Sequence, residues 1–231
     1  IAKKIFVFEK SKKNQNVLKR FKLKFELIKK IDKKISECDF IVICAPLSEY
    51  KKIFLACNKY SKKNILITDV GSAKKDTITK ITKIKRKDIK WIPSHPIAGS
   101  EVSGPLNGNE NLFVNKWSVI IKQKYSQNKE MKRILNFWKL LGSKTVSMDA
   151  DQHDKIFAIT SHLPHLIAYN LILTATNFKI SNKDNVLRFS AGGLRDFSRI
   201  AASNEIMWRD IFFNNKSNML KVIDLFIKNL K

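Results

Sequence analysis

At 231 residues and 44% hydrophobic content the chain can bury the core of one or two domains, and seven glycines and five prolines exclude a fibrous or disordered class. The formal net charge is +25, from 45 Lys and Arg against 20 Asp and Glu. The lysines are scattered among Ile and Asn with no Arg-aromatic stripe, so the charge argues against a nucleic-acid binder and favours the approach of a small anionic substrate.

Strands and helices alternate through the first half. Lys4 to Phe8 reads as a short strand ending at Glu9, followed by a lysine-rich helix over Gln15 to Ile35. Phe40 to Ala45 is a continuous apolar run ended by Pro46, the pattern of a parallel strand covered on both faces. Helix is expected over Ser48 to Tyr60, a buried strand over Asn64 to Thr68, helix over Asp76 to Ile84, and strand over Ile89 to Pro93. Trp117 to Lys122 and Lys144 to Met148 read as strands around a helix, Asn128 to Leu141, closed by Gly142. The alternation predicts an α/β fold with a Rossmann-like, doubly wound parallel sheet over residues 1–149.

From residue 150 onward the pattern is all-helical. Helices are expected over Gln152 to Phe178, Asp184 to Ser190, Ser203 to Phe213 and Lys216 to Leu230, with Ser203 as an N-cap and Gly192-Gly193 breaking the preceding helix. Ile156 to Phe178 carries no Lys, Arg, Asp or Glu and is long enough to span a bilayer. Its His162, Pro164, His165, Asn170, Thr174 and Thr176 point instead to a helix buried in a helical domain or a subunit interface, and no membrane is expected as partner. Cys38, Cys44 and Cys57 are odd in number and form no CxxC, as buried thiols of a cytoplasmic protein would; the lysine-dense start has no signal-peptide apolar region.

No GxGxxG turn occurs, although a Rossmann domain needs one to seat a pyrophosphate. Glu9 stands where the ribose-binding acidic residue should be, about 20 residues beyond such a turn. The expectation is that the first β-α unit, roughly 30 residues, is missing from the N-terminus.

The chemistry centres on Trp91 to Gly104. Pro96 disfavours helix at His95, which places that residue at the mouth of a strand with an exposed imidazole. Gly99 and Gly104 permit a tight loop carrying Ser100, Glu101 and Ser103. A titratable ring at the carboxyl end of a strand suits a ligand site, though the same residue can simply cap a turn. In the helical half, Ser161 and His165 lie four apart and His162 and His165 three apart, on one face. These residues either satisfy a helix junction or line a site; HxxH with no carboxylate or Cys at ligand spacing argues against a metal.

His95-Pro96-x-x-Gly99-x-Glu101-x-x-Gly104 resembles the catalytic-histidine motif of the prephenate and arogenate dehydrogenases, which serve tyrosine biosynthesis. Asp69-Val70-Gly71-Ser72-Ala73-Lys74, His153-Asp154, Ser161-His162-Leu163-Pro164-His165, Gly192 to Ala201 and Ile206 to Asp210 are similar to further segments of that family, in the same order. The resemblance implies NAD-dependent oxidative decarboxylation of prephenate, with arogenate as the alternative substrate. It implies His95 as the base and Ser72 as the residue that orients it. It places Arg199 on a substrate carboxylate with Asp196 steering it, His153, Ser161 and His165 around the substrate, Ser100 and Glu101 as a gate, and Trp208, by default a core residue, as a pocket wall. Glu9, Ala45, Pro46, Asp69 and Gly71 are the positions it gives to the cofactor. Glu9 would repel a 2′-phosphate and so favours NAD, while Lys10 and Lys12 keep NADP in play. Asp154 can attract the arogenate ammonium or cap the long helix. The family also implies a homodimer through the helical domain. The missing Gly-rich turn leaves a non-catalytic binding remnant as the competing class.

Overall fold

The computed structural model describes residues 2–99, 104–123, 128–178 and 186–231. Strand β1 (Phe6–Phe8) runs parallel to β2 (Glu26–Ile28), with α1 (Lys12–Leu18) between them. The long helix expected over Gln15 to Ile35 is therefore wrong: α1 ends early, β2 follows, and Lys33–Glu37 form a 3-10 turn. The physical reason is legible in Phe21-Lys22-Leu23-Lys24-Phe25-Glu26-Leu27, whose strict alternation matches a strand's period of two rather than a helix's 3.6.

A second parallel group has the order β3 (Phe40–Ile43), β4 (Leu66–Asp69), β5 (Lys90–Trp91). Its crossovers are α2 (Tyr50–Tyr60) and α3 (Lys75–Ile84). Phe54, Cys57, Ile67 and Trp91 form the core between strands and helices. Two residues beyond β5 the chain enters β6 (Ser94–Pro96), which pairs antiparallel with β7 (Trp117–Ile121), His95 lying opposite Val119. Strand β7 is parallel to β8 (Lys144–Met148), and α4 (Asn128–Leu140) packs Ile134 and Trp138 beneath them. Gly142 closes α4 at φ +85°, where an added Cβ would meet Val114 at 3.0 Å. The fold is Rossmann-like, and among the described residues one pairing is antiparallel, at the strand that carries His95.

Helices take over after β8. A single helix runs from Ala150 to Asn177 as α5 (Ala150–Phe157), a π-helical turn (Ala158–His162) and α6 (Leu163–Asn177). Asp149 caps its start by accepting the Gln152 N–H. By length and composition it could cross a membrane, and only 22% of its most apolar window is buried within this chain. Ile159, Leu171 and Leu173 are exposed on it in one chain, so of the two expected settings, a helical domain or a subunit interface, burial within the chain's own domain is incomplete. Then come α7 (Gly192–Ala201), α8 (Glu205–Asn214) and α9 (Lys216–Leu230). Gly192 and Gly193 open α7 instead of breaking a helix, and Asn204 rather than Ser203 caps α8, accepting the Met207 N–H. Of the helix expected over Asp184 to Ser190, the described part is a 3-10 turn, Val186–Phe189. Cys57 is buried and its thiol is pushed up to about 12, Cys38 is half-buried, and Cys44 is exposed, contrary to expectation; all three are free.

Two aspartates of the helical half tie it to the sheet half. Asp154 accepts the main-chain N–H groups of Lys74 (2.9 Å) and Lys75 (2.8 Å) at the start of α3. Asp210 accepts the Ser48 N–H at 3.0 Å, at the 3-10 turn Leu47–Glu49 that leads into α2. Each supplies an acceptor to amides that have no partner within their own helical segment.

A buried ion pair sits between the strands and α3. Lys74 Nζ lies 2.6 Å from Asp69 Oδ2 and 2.5 Å from the Ser94 carbonyl, with Lys74 and Asp69 each 1% exposed. Tyr50 Oη, Trp91 Nε1 and the Gly71 N–H also donate to the Asp69 carboxylate. Removing one partner leaves the other charge buried and uncompensated. Lys74→Met is expected to cost about 3–5 kcal/mol of stability, read as a lowered urea midpoint; an unchanged midpoint would show the pair to be dispensable.

Candidate active site

Strand β6 forms because Ser94, His95 and Pro96 pair with β7, and the Ile97 N–H carries the ladder on to the Trp117 carbonyl at 2.7 Å. His95 thereby lies within a strand, 8% exposed, and not at an open strand mouth as the sequence led us to expect. Its Nδ1 is 2.8 Å from Nε2 of His153, a residue with 0% exposure on α5. His153 Nδ1 is in turn 2.7 Å from Asp154 Oδ1. Phe157, one turn further along α5, packs against both rings, with centroids 4.8 Å from His95 and 4.5 Å from His153. The ring nitrogen that Ser72 was expected to hold is thus held by His153; Ser72 is half-buried at the turn after β4.

Burial disfavours the protonated form of each histidine here. Burial drives His95 well below the usual histidine value of 6.5, and His153, Lys74 and His162 push the same way. Burial also lowers His153, although its hydrogen bond to the Asp154 carboxylate opposes this. His162 is pushed down to about 4, mainly by burial. Its Nδ1 accepts from Asn215 Nδ2 at 3.1 Å, and the same amide donates to the Asp154 carbonyl at 2.7 Å, so the start of α9 braces α5.

His153 was expected beside the substrate, and Asp154 either to attract an ammonium or to cap the long helix; both are sealed. The carboxylate of Asp154 serves α3 and His153 rather than its own helix. On the next turns, His165 Nδ1 donates to the Ser161 carbonyl at 2.9 Å and its ring stacks on Trp208 at 3.6 Å and 20°. Trp208, 6% exposed, walls a 430 Å³ apolar cavity with Leu166, Tyr169, Phe212 and Met219. Arg199 and Asp196 are exposed on α7, which packs on α6. No hydrogen bond among the described residues joins them to His95. Ser100 and Glu101 lie outside the described residues.

The carboxyl ends of β1, β3 and β4 offer the cofactor positions. Glu9 Oε1 is fixed at the end of β1 by the Ser11 N–H at 2.7 Å, and its carbonyl by Gln15 Nε2 at 2.6 Å. Ala45 is half-buried and Pro46 exposed just past β3, so Glu9, Ala45 and Pro46 suit a ribose and its neighbouring groups. Asp69 and Gly71 do not present themselves in that way. Both carboxylate oxygens of Asp69 are engaged internally, and a Cβ on Gly71 would lie 2.7 Å from Leu47 and 2.8 Å from Tyr50 Oη. Sequence reading missed Lys74, Phe157 and Asn215. A lysine amid Val70, Gly71 and Ala73 was the one available sign; nothing marks Asn215.

A parallel α/β nucleotide-binding fold joined to a helical half, with a neutral histidine sealed at their junction, defines a class of nicotinamide-type oxidoreductases. The family model described as prephenate dehydrogenase, nucleotide-binding domain, matches residues 1–147, and the model for that enzyme's dimerization domain matches residues 149–231. The chain belongs to the prephenate dehydrogenase family. It is 34% identical over 197 residues to the cyclohexadienyl dehydrogenase of Zymomonas mobilis, covering 85% of this chain and 67% of that protein. It is 30% identical over 198 residues to the prephenate dehydrogenase of Bacillus subtilis, covering 85% and 53% respectively, so it spans about half the length of that relative. The Aquifex aeolicus prephenate dehydrogenase, solved with hydroxyphenyl propionate and NAD+, superposes with a TM-score of 0.88 at 29% identity, over 98% of this chain and 79% of that one.

Three histidines buried neutral have a thermodynamic consequence. Their folded pKa values lie below the unfolded value of 6.5, so the unfolded state takes up more protons on acidification. The stability they allow is complete above pH 6.5 and is lost as the pH falls toward 4. The melting temperature is therefore expected to drop between pH 7.5 and pH 5, with a shallower drop in His162→Gln; equal slopes in the two proteins would remove His162 from the account.

Proposed function

We propose that this chain carries the NAD-dependent oxidative decarboxylation of prephenate to 4-hydroxyphenylpyruvate, within tyrosine biosynthesis in the cytoplasm. The observation that carries this reading is His95: a neutral imidazole held rigidly on a strand at the junction of the two halves. Prephenate needs such a base at its ring hydroxyl. Cyclohexadienyl rings are common to prephenate and arogenate, and the Zymomonas relative is named for that ring, so arogenate stands as the second substrate. Sealing of Asp154 removes one attraction for the arogenate ammonium and favours prephenate.

Bound NAD would supply the acceptor for the hydride that leaves the ring carbinol carbon. Glu9, Ala45 and Pro46 would hold it, with Glu9 favouring NAD over NADP. His95 takes the hydroxyl proton at the ring nitrogen that His153 does not occupy. The pair of electrons released as carbon dioxide departs makes the ring aromatic, and His95 returns the proton to the phenolic oxygen. Arg199, a planar two-toothed donor, grips a substrate carboxylate, with Asp196 one turn earlier to steer it and Ser161 and His165 on the facing helix. Exposed apolar residues of α6 and the cavity beside Trp208 support a homodimer through the helical half.

His95→Asn is expected to lower kcat about 10²- to 10⁴-fold while NAD still binds, measured by absorbance of the reduced nicotinamide with prephenate and arogenate each offered with NAD and NADP. Unchanged turnover would overturn the reading, and absence of saturable NAD binding would favour a binding remnant. Arg199→Ala is expected to raise KM about 10- to 100-fold; an unchanged KM would take the carboxylate from Arg199. Because His95 stays neutral well below pH 6.5, the acid limb of kcat/KM should fall below that value.

A further inference from the structure

Asp154, His153 and His95 stand in a line, with contacts of 2.7 Å and 2.8 Å through successive ring nitrogens. Hydrogen-bond chemistry allows one neutral arrangement for that line. A carboxylate only accepts, so His153 carries its proton on Nδ1 and donates it to Asp154 Oδ1. His153 Nε2 then bears a lone pair and must accept. The donor facing it is His95 Nδ1–H, which leaves the lone pair of His95 on Nε2. We infer that Asp154 and His153 form a positioning relay that locks His95 in its Nδ1–H tautomer and so makes Nε2 the base. This rests on the function proposed above and extends it, since it moves His153 from the substrate to the back of the base.

Other observations agree. His153 has 0% exposure and cannot touch a substrate, and Phe157 clamps both rings at once. Asp154 is itself fixed by the N–H groups of Lys74 and Lys75, which donate to its two carboxylate oxygens. The charged and titratable groups facing His95 are His153, Lys74 and His162, all of which disfavour a second proton on the resting ring. Lys74 also grips the Ser94 carbonyl, fixing the main chain one residue before the base.

During turnover the substrate O–H bond breaks and an N–H bond forms at His95 Nε2. The Nδ1 proton stays on His95. Positive charge on that ring is then met by the lone pair of His153 and, beyond it, by the carboxylate of Asp154, as a buried carboxylate stabilises an imidazolium in hydrolytic triads. Neither His153 nor Asp154 changes its proton count.

The chain holds only four histidines, so its ring nitrogens can be followed individually by nitrogen-15 spectra of the folded protein with NAD added. His95 should show a protonated Nδ1 and an unprotonated Nε2 at pH 7.5; a proton on Nε2 would overturn the relay. His153→Gln keeps an accepting carbonyl, and should hold the His95 tautomer and lose less than about tenfold in kcat. His153→Leu has no acceptor, and should release the tautomer and lose about 10²- to 10⁴-fold in kcat with little change in KM. Equal kcat in the two variants would also overturn it. Should the leucine variant fail to fold, the unsubstituted protein and the glutamine variant still decide. The expected tautomer combined with full activity of His95→Asn would leave the relay standing and remove the function read from it. The opposite tautomer combined with a dead His95→Asn would keep the base and remove the relay.

Discussion

Asp154 accepts two main-chain N–H groups from the first turn of α3 and the Nδ1–H of its neighbour His153. One carboxylate, 1% exposed, thereby closes the end of a sheet-half helix and sets the orientation of a ring in the helical half. A buried carboxylate is tolerable only when several donors surround it, and here the donors come from both halves. The geometry of His95 is consequently a product of docking: β6 supplies the ring, α5 supplies what holds it, and α3 supplies what holds the holder. Asp210 repeats the device on a smaller scale at Ser48. The two halves are joined through specific acceptor positions as well as apolar contact, which suits a site that must be exact at their boundary.

Much of this is legible in the sequence. The runs Phe40 to Ala45 and Asn64 to Thr68 indicate buried parallel strands, and β3 and β4 lie there, because a strand covered on both faces has no polar alternation to hide it. The change to helices after Met148 was equally clear. Strand β2 was overlooked because seven lysines between Lys19 and Lys34 look helical by composition, although the alternation Lys22 to Leu27 was the better guide. Pattern outranks propensity where the two conflict.

The site was less legible for a different reason. A motif identifies a residue but not which way its ring faces. Pro96 correctly excluded helix at His95, yet pairing with β7 buried the ring that a strand end would have exposed. The family resemblance puts His153 beside a substrate, and the sequence offers Asp154 only an ammonium or its own helix as partner. Their partners, Lys74, Lys75 and Asn215, lie 61 to 80 positions away in sequence, and no local signal records such a distance. Lys74 is the sharpest case. A lysine is ordinarily read as surface, and only the convergence of Asp69 and the Ser94 carbonyl explains one buried among strands.

The π-turn Ala158–His162 divides the helix that carries His153 and Asp154 on one side from the one that carries His165 on the other. Such a turn is an α-helix with one residue too many, its Leu163 N–H reaching back five positions to Ala158. Loss of one codon there would restore a regular helix and leave both flanks in phase, so the fold would survive. The widened turn would vanish, and with it the offset between Ser161, His162 and His165. One residue of length in this turn thus sets how Ser161, His162 and His165 are arranged relative to His153 and Asp154.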